Sequence, residues 1–110
     1  MNNDDDRTVV YIYALIDPRD NEVRYIGQTV NLSQRFRKHL TDKRISSRKR
    51  AWLDELLLLG KEPIMKVIEQ CDKGNAGERE QYWIADYRIS HSDLLNISNG
   101  GAGHGSWTMS

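Results

Sequence analysis

Residues 8 to 16 read T-V-V-Y-I-Y-A-L-I, a run of β-branched and aromatic side chains that suits a pleated strand. Asp17-Pro18-Arg19-Asp20-Asn21 follows at once, and it is turn chemistry: proline presets φ, while Asp and Asn bond their own backbone. Residues 23 to 28, V-R-Y-I-G-Q, return to strand composition. The two runs predict an antiparallel hairpin. Everything downstream must fold around it.

Past the hairpin the period changes. Asn31 can cap a helix, with Gln34 at the capping-box position. Leu32, Phe36 and Leu40 then give one apolar stripe, with Arg35, Lys38 and His39 beside it. A second helix is expected from Arg48 to Leu59, stopped by Gly60, with Trp52, Leu53, Leu56, Leu57 and Leu59 as its buried face. Glu62-Pro63 opens a strand over residues 64 to 69, and Gly74-Asn75 reads as a break. Ala76 to Ile89 is a third helix, and Leu94 to Ser98 a short extended piece. Trp52 and Trp83 read as core. The order β-β-α-α-β-α describes one α+β domain over residues 8–99. An acidic, flexible N-terminus precedes it over residues 1–7, and a Gly-rich tail follows over residues 100–110.

A chain of 110 residues, 38% hydrophobic and 29% charged, is an ordinary single domain. Its one cysteine, Cys71, excludes an intramolecular disulfide framework and a multi-Cys zinc site. No apolar run approaches the roughly 20 residues that span a bilayer. Met1 to Asp6 lacks signal-peptide form. The expected compartment is therefore the cytoplasm, of a bacterial or phage-infected cell.

Sixteen basic and sixteen acidic residues give a formal net charge of zero, which alone counts against a generic nucleic-acid binder. The distribution says otherwise. Residues 35 to 50 hold Arg35, Arg37, Lys38, Lys43, Arg44, Arg48, Lys49 and Arg50 against the single acid Asp42. These eight cations and one acid make +7, so the rest of the chain sums to −7. Local field, not net charge, steers a polyanion. A solvated helix face is the commoner reason for a charge run, but such faces usually mix both signs.

Several motifs fail. Gly101-Ala102-Gly103-His104-Gly105 follows no βαβ start and opens no helix, so it is not a phosphate loop. His39, His91 and His104 lack metal-ligand spacing. Cys71 reads as a buried filler, and no serine sits in a hydrolase elbow.

One constellation succeeds. In order along the chain stand Y-I-Y at Tyr11, R-Y-I-G-Q-T at Arg24, N-L-S-Q-R-F-R-K-H at Asn31, E-R-E-Q-Y-W-I at Glu78 and L-N-I-S-N-G-G at Leu95. In these five stretches the sequence resembles the GIY-YIG nuclease superfamily, in particular the small catalytic domains of its homing-endonuclease-like members. The resemblance covers most of residues 9 to 101. It implies a three-stranded antiparallel β-sheet flanked by helices. It also implies that Tyr13 and Tyr25 are the motif tyrosines, Arg35 the family arginine and His39 the histidine often found after it. Glu80 stands at the metal-binding glutamate and Asn96 at the late asparagine. Two departures are visible. Tyr11 replaces the first motif's glycine, and nothing near Ser46-Ser47 matches a second histidine of some homing-type relatives.

The chemistry accommodates these roles. Phosphodiester hydrolysis needs an activated water, neutralised phosphoryl oxygens and help for the leaving oxygen. One carboxylate, Glu80, suffices for Mg²⁺ (or Mn²⁺) whose other ligands are water and phosphate. Arg35 offers two parallel donors to the scissile phosphate. Tyr13 is the preferred general base, with a pKa expected to fall beside Arg35, His39 and the metal. Tyr25 would orient water or phosphate, although the two tyrosines could exchange roles. His39 would relay a proton or bind phosphate, and Asn96 would brace a tyrosine or a backbone segment. Each has a plain structural alternative: half-buried strand aromatics, a basic face, a paired surface acid, a turn cap.

The expected activity is a Mg²⁺-dependent DNA endonuclease. Arg37, Lys38, Lys43, Arg44, Arg48, Lys49 and Arg50 would contact the phosphate backbone, which gives affinity without sequence reading. Specificity would come from nucleic-acid shape, a protein partner or self-association. The alternatives are a non-catalytic or partner-dependent nucleic-acid-binding module of the same fold, and a nuclease acting on RNA.

Overall fold

The computed structural model describes residues 8–41, 47–90 and 94–96. Strands β1 (Val9–Asp17), β2 (Glu22–Thr29) and β3 (Ile64–Asp72) form one antiparallel sheet in the order β2-β1-β3. Helices α1 (Leu32–Thr41) and α2 (Ser47–Leu58) lie between β2 and β3 in sequence, and α3 (Ala76–Ser90) follows β3. This is the α+β order β-β-α-α-β-α read from the sequence. The expected acidic N-terminus, Lys43, Arg44, His91 and the Gly-rich tail lie outside the described residues.

The hairpin closes as its residues dictate. Asn21 takes a left-handed φ of 62° and its N–H donates to the Asp17 carbonyl at 2.8 Å. Asparagine tolerates that region better than other non-glycine residues. Asn31 caps α1, its Oδ1 accepting from the Gln34 N–H at 3.0 Å. Gly60, at φ 73°, ends α2: the Gly60 N–H donates to the Leu57 carbonyl and the Lys61 N–H to that of Leu56, the paired bonds of a glycine-terminated helix.

β1 is the central strand, and its alternation sorts the core onto two faces. Ile12 and Ala14 face one way, with Val23, Ile26, Ile84 and Leu94. Tyr13 and Leu15 face the other, with Trp52, Leu53 and Leu56 of α2. Pairing sets Tyr13 opposite Gly27 and Leu15 opposite Tyr25, so both tyrosines share the α2 face. The register slips once in each ladder, leaving Arg24 extra on β2 and Ile68 extra on β3. Tyr11 pairs with Thr29 on one side and Gln70 on the other. The family's missing glycine is thus met by ordinary extended strand.

Asp17 turns out to be more than turn chemistry. Its side chain is fully buried and accepts from Trp52 Nε1 at 2.9 Å, the Arg19 N–H at 2.9 Å and Arg19 Nη2 at 2.7 Å. These donors hold its carboxyl well below the usual carboxylate range, the Arg19 bond first among them. The hairpin is thereby tied to α2.

Four expectations need correction. The third strand does not end at residue 69: β3 runs to Asp72, and the break at Gly74-Asn75 is a 3₁₀ turn over Lys73–Asn75 that leads straight into α3. Leu57 and Leu59 are exposed, because Trp52, Leu53 and Leu56 already fill the space under the sheet. Leu32, Phe36 and Leu40 are only partly buried, and the buried residue of α1 is His39. Trp83 is half-buried, its Nε1 donating to Glu69 Oε1 at 2.7 Å, so it seals the edge of the core rather than filling it. Among the described residues no helix is long and apolar enough to cross a membrane.

Candidate active site

Tyr13 is the centre of the candidate site. It is 1% exposed, and its hydroxyl lies 2.7 Å from Nε2 of His39 on α1. To reach α1 the ring must cross β2, and it does so over Gly27. A Cβ placed on Gly27 would stand 2.5 Å from the Tyr13 hydroxyl oxygen and 2.6 Å from Cζ. Gly27 has no left-handed backbone that would call for glycine. Its role is to leave room for the ring.

His39 is 4% exposed and edge-on to both phenols, with ring centroids 5.7 Å from Tyr13 and 5.6 Å from Tyr25. Burial first, then the cations Lys49, Arg35 and Arg50, push its pKa down to about 3. The imidazole is therefore neutral at physiological pH, able to accept a proton and carrying no charge. Tyr13 shifts the other way. Burial, with the neighbouring Tyr25 and Glu80, raises its phenol far above 10 and outweighs the opposing pull of Arg35. Tyr25 is raised for the same leading reason, burial, with Glu80 adding to it and Arg35 opposing. The expected fall in the Tyr13 pKa is thus reversed in the protein itself. A neutral His39 adds no positive charge beside the phenol, and one exposed guanidinium does not offset the loss of solvent.

Arg35 lies one helical turn before His39, on the same side of α1, and is exposed to solvent. Its charge and that of Glu80 both act on the two tyrosines. Glu80, on α3, is 7% exposed and accepts from Gln28 Nε2 at 2.6 Å. Asn96 bonds both backbone groups of Ile26: its Oδ1 accepts from the N–H at 2.9 Å and its Nδ2 donates to the carbonyl at 2.7 Å. The Leu95 N–H donates to the Arg24 carbonyl at 2.6 Å. This short piece therefore pins the outer edge of β2 at Arg24 and Ile26, on either side of Tyr25.

The basic run divides. Arg37, Lys38 and Arg48 are exposed, as backbone contacts must be, while Lys43 and Arg44 lie outside the described residues. Lys49 and Arg50 depart from expectation, for they are 7% and 8% exposed and turned inward. Lys49 Nζ sits 3.9 Å from the centroid of the Tyr25 ring, a cation–π contact. Arg50 Nη1 donates to the His39 carbonyl at 2.9 Å and its Nε to Asp54 at 3.1 Å. The buried stripe of α2 explains Lys49. Leu56, Leu53 and Trp52 continue back by the same i, i+3, i+4, i+7 spacing to Lys49. That spacing was a signal available in the sequence. Gly27 and Gln28 also stand in the R-Y-I-G-Q-T stretch without an assigned part, and strand alternation would have put Gly27 on the face of Tyr25.

The donor set around Glu80 suits a hard divalent cation. Its carboxylate oxygens are the preferred ligand type, and Mg²⁺ commonly takes one or two carboxylates and completes its shell with water and phosphate oxygens. Among the described residues no three His, Cys, Asp or Glu side chains cluster as a metal cage. Glu80 would hold such an ion alone.

A family model of the GIY-YIG catalytic domain matches residues 9–92. Neither the curated proteins nor the solved structures show a significant match to the chain.

Proposed function

The chain belongs to the GIY-YIG nuclease family, and on that premise we propose that it is a divalent-metal-dependent endonuclease that hydrolyses DNA phosphodiester bonds. The observation that carries this reading is the 2.7 Å contact between the Tyr13 hydroxyl and a neutral His39, within reach of the charges of Arg35 and Glu80.

In this mechanism Tyr13 and His39 work as one proton acceptor. A water brought in with the phosphate gives a proton to the Tyr13 oxygen while the phenol's own proton moves to His39 Nε2. The water oxygen bonds to phosphorus, the P–O3′ bond breaks, and the 3′ oxygen takes up a proton from solvent. No free phenolate forms, which matters because burial makes one costly. Arg35 binds the phosphoryl oxygens through its paired donors. Tyr25, more open than Tyr13, orients the water or the phosphate. Asn96 keeps the Tyr25–Gly27 backbone in register with Tyr13. A Mg²⁺ or Mn²⁺ ion held by Glu80 would supply Lewis-acid charge at the phosphate and leaving oxygen.

The test is nicking of supercoiled plasmid with Mg²⁺ by the wild type, Tyr13→Phe and Glu80→Ala. Both variants should lose about 100-fold or more, the scale of a general acid–base contribution. Equal nicking by all three would refute the reading.

A further inference from the structure

Beside the candidate site lies a groove of about 680 Å³ at one end of the sheet. Its lining combines Thr8 and Val10 of the β1 end, Gln28, Thr29 and Val30 at the β2 end, Gln34, Arg35 and Lys38 of α1, and Lys73. Three of these nine are cations and none is an acid. Two belong to the candidate site as well: Arg35, and Gln28, whose amide donates to Glu80. The groove therefore meets the candidate site at Arg35 and Gln28 and extends away from it.

Lys73 gives the groove its second wall. It lies outside the basic run of residues 35 to 50, on the 3₁₀ turn after β3. Its N–H donates to the Thr8 carbonyl at 2.9 Å, which fixes the root of the side chain against the start of β1. Positive charge thus faces the groove from α1 on one side and from the β3 end on the other. Hydroxyls and amides from Thr8, Thr29, Gln28 and Gln34 lie between, with Val10 and Val30 as apolar surface. This is the chemistry of a nucleotide: phosphate for the lysines, sugar and base for the valines and amides. The volume suits a small ligand rather than a duplex.

We propose that this groove seats the nucleotide next to the scissile phosphate, with that nucleotide's own phosphate held between Lys38 and Lys73. The inference rests on the nuclease reading and names a strand subsite within it. Lys73 becomes a binding residue that the charge run does not contain.

The test measures binding of a fluorescently labelled single-stranded DNA oligonucleotide by anisotropy, in EDTA to prevent cutting, across a salt series. Lys73→Gln and Lys38→Gln are compared with Lys66→Gln. Lys66 is exposed on β3, away from the groove lining, and carries the same charge. Thermal melts check that all variants fold. Lys73→Gln and Lys38→Gln should each weaken binding several-fold and reduce the salt slope by about 0.7, the share of one phosphate on a single strand. Lys66→Gln should bind as the wild type does. Equal effects of Lys73→Gln and Lys66→Gln, with the wild type still binding and nicking, would overturn the groove and leave the nuclease standing. A wild type that neither binds nor nicks would overturn both.

Discussion

Gly27 leaves no room for a Cβ under Tyr13, and adding one methyl group there is the sharpest test of the site. In Gly27→Ala the new Cβ would meet the Tyr13 hydroxyl oxygen at 2.5 Å, Cζ at 2.6 Å and Cε2 at 3.1 Å. Non-bonded carbons settle at about 3.5–4.0 Å, so the ring must move by about 1 Å. It has nowhere to go. The residue is 1% exposed, its cluster holds Leu15, Trp52, Leu53 and Leu56, and its hydroxyl is committed to His39. Overpacking of this kind costs about 1–3 kcal/mol, and a lost Tyr13–His39 bond adds about 1 kcal/mol. Urea unfolding should show a midpoint lower by on the order of 1–2 M. Nicking should fall about 100-fold, since a 1 Å displacement of a reacting group costs that much. The same alanine should be nearly neutral to stability in a Tyr13→Leu background, where the ring is gone, and a double-mutant cycle reads this directly. If Gly27→Ala unfolds within about 0.5 kcal/mol of wild type and nicks equally, the glycine is not there for the ring.

Two further outcomes concern pH. Asp17 has a depressed pKa in the fold, so its contribution is present above the unfolded carboxylate value and is lost as pH falls below about 4. Glu69, lowered by its Trp83 and Arg79 bonds, adds to the same limb. Urea titrations from pH 7 to 3 should show Asp17→Asn less stable at neutrality and less sensitive to acid, and parallel slopes would sink this account. His39 is also depressed, so folding stability should decline as pH drops from about 6.5 toward 3. By NMR its imidazole should remain neutral at pH 5, and Lys49→Met should raise its midpoint; a wild-type midpoint near 6.5 would contradict the burial and charge argument.

Most elements were legible because their signals are local. β-branched and aromatic residues mark β1, Asn31 marks the start of α1, and Gly60 marks the end of α2. The errors arose where the deciding partner is distant. Asp17 sits among turn residues and reads as one, yet its burial depends on Trp52, 35 positions away. Leu57 and Leu59 look like core, but a sheet face already filled by three α2 residues has no place for them. The site was legible as a set of residue types at family spacings. Its electrostatics were not, since a pKa depends on burial that spacing does not report. A linear tally likewise counted Lys49 and Arg50 as outward charges, whereas the helix period turns Lys49 in and bonds to His39 and Asp54 hold Arg50 against the protein.

That division of the basic run changes what the charges do in the proposed mechanism. Burial first, and then Lys49, Arg35 and Arg50, keep His39 uncharged in the free protein. A neutral imidazole is ready to accept a proton but reluctant to keep it, because the product is one more cation among cations. A phosphodiester bound at Arg35 brings the opposite charge and relieves that reluctance, raising the proton affinity of His39 only when substrate is present. The same anion makes a free Tyr13 phenolate still less favourable. In the proposed mechanism Tyr13 therefore acts in concert with His39, passing one proton on as it takes another. Substrate binding and base strength are thereby coupled through one set of side chains. The unfavourable resting pKa values of Tyr13 and His39 become conditions for this mechanism rather than objections to it.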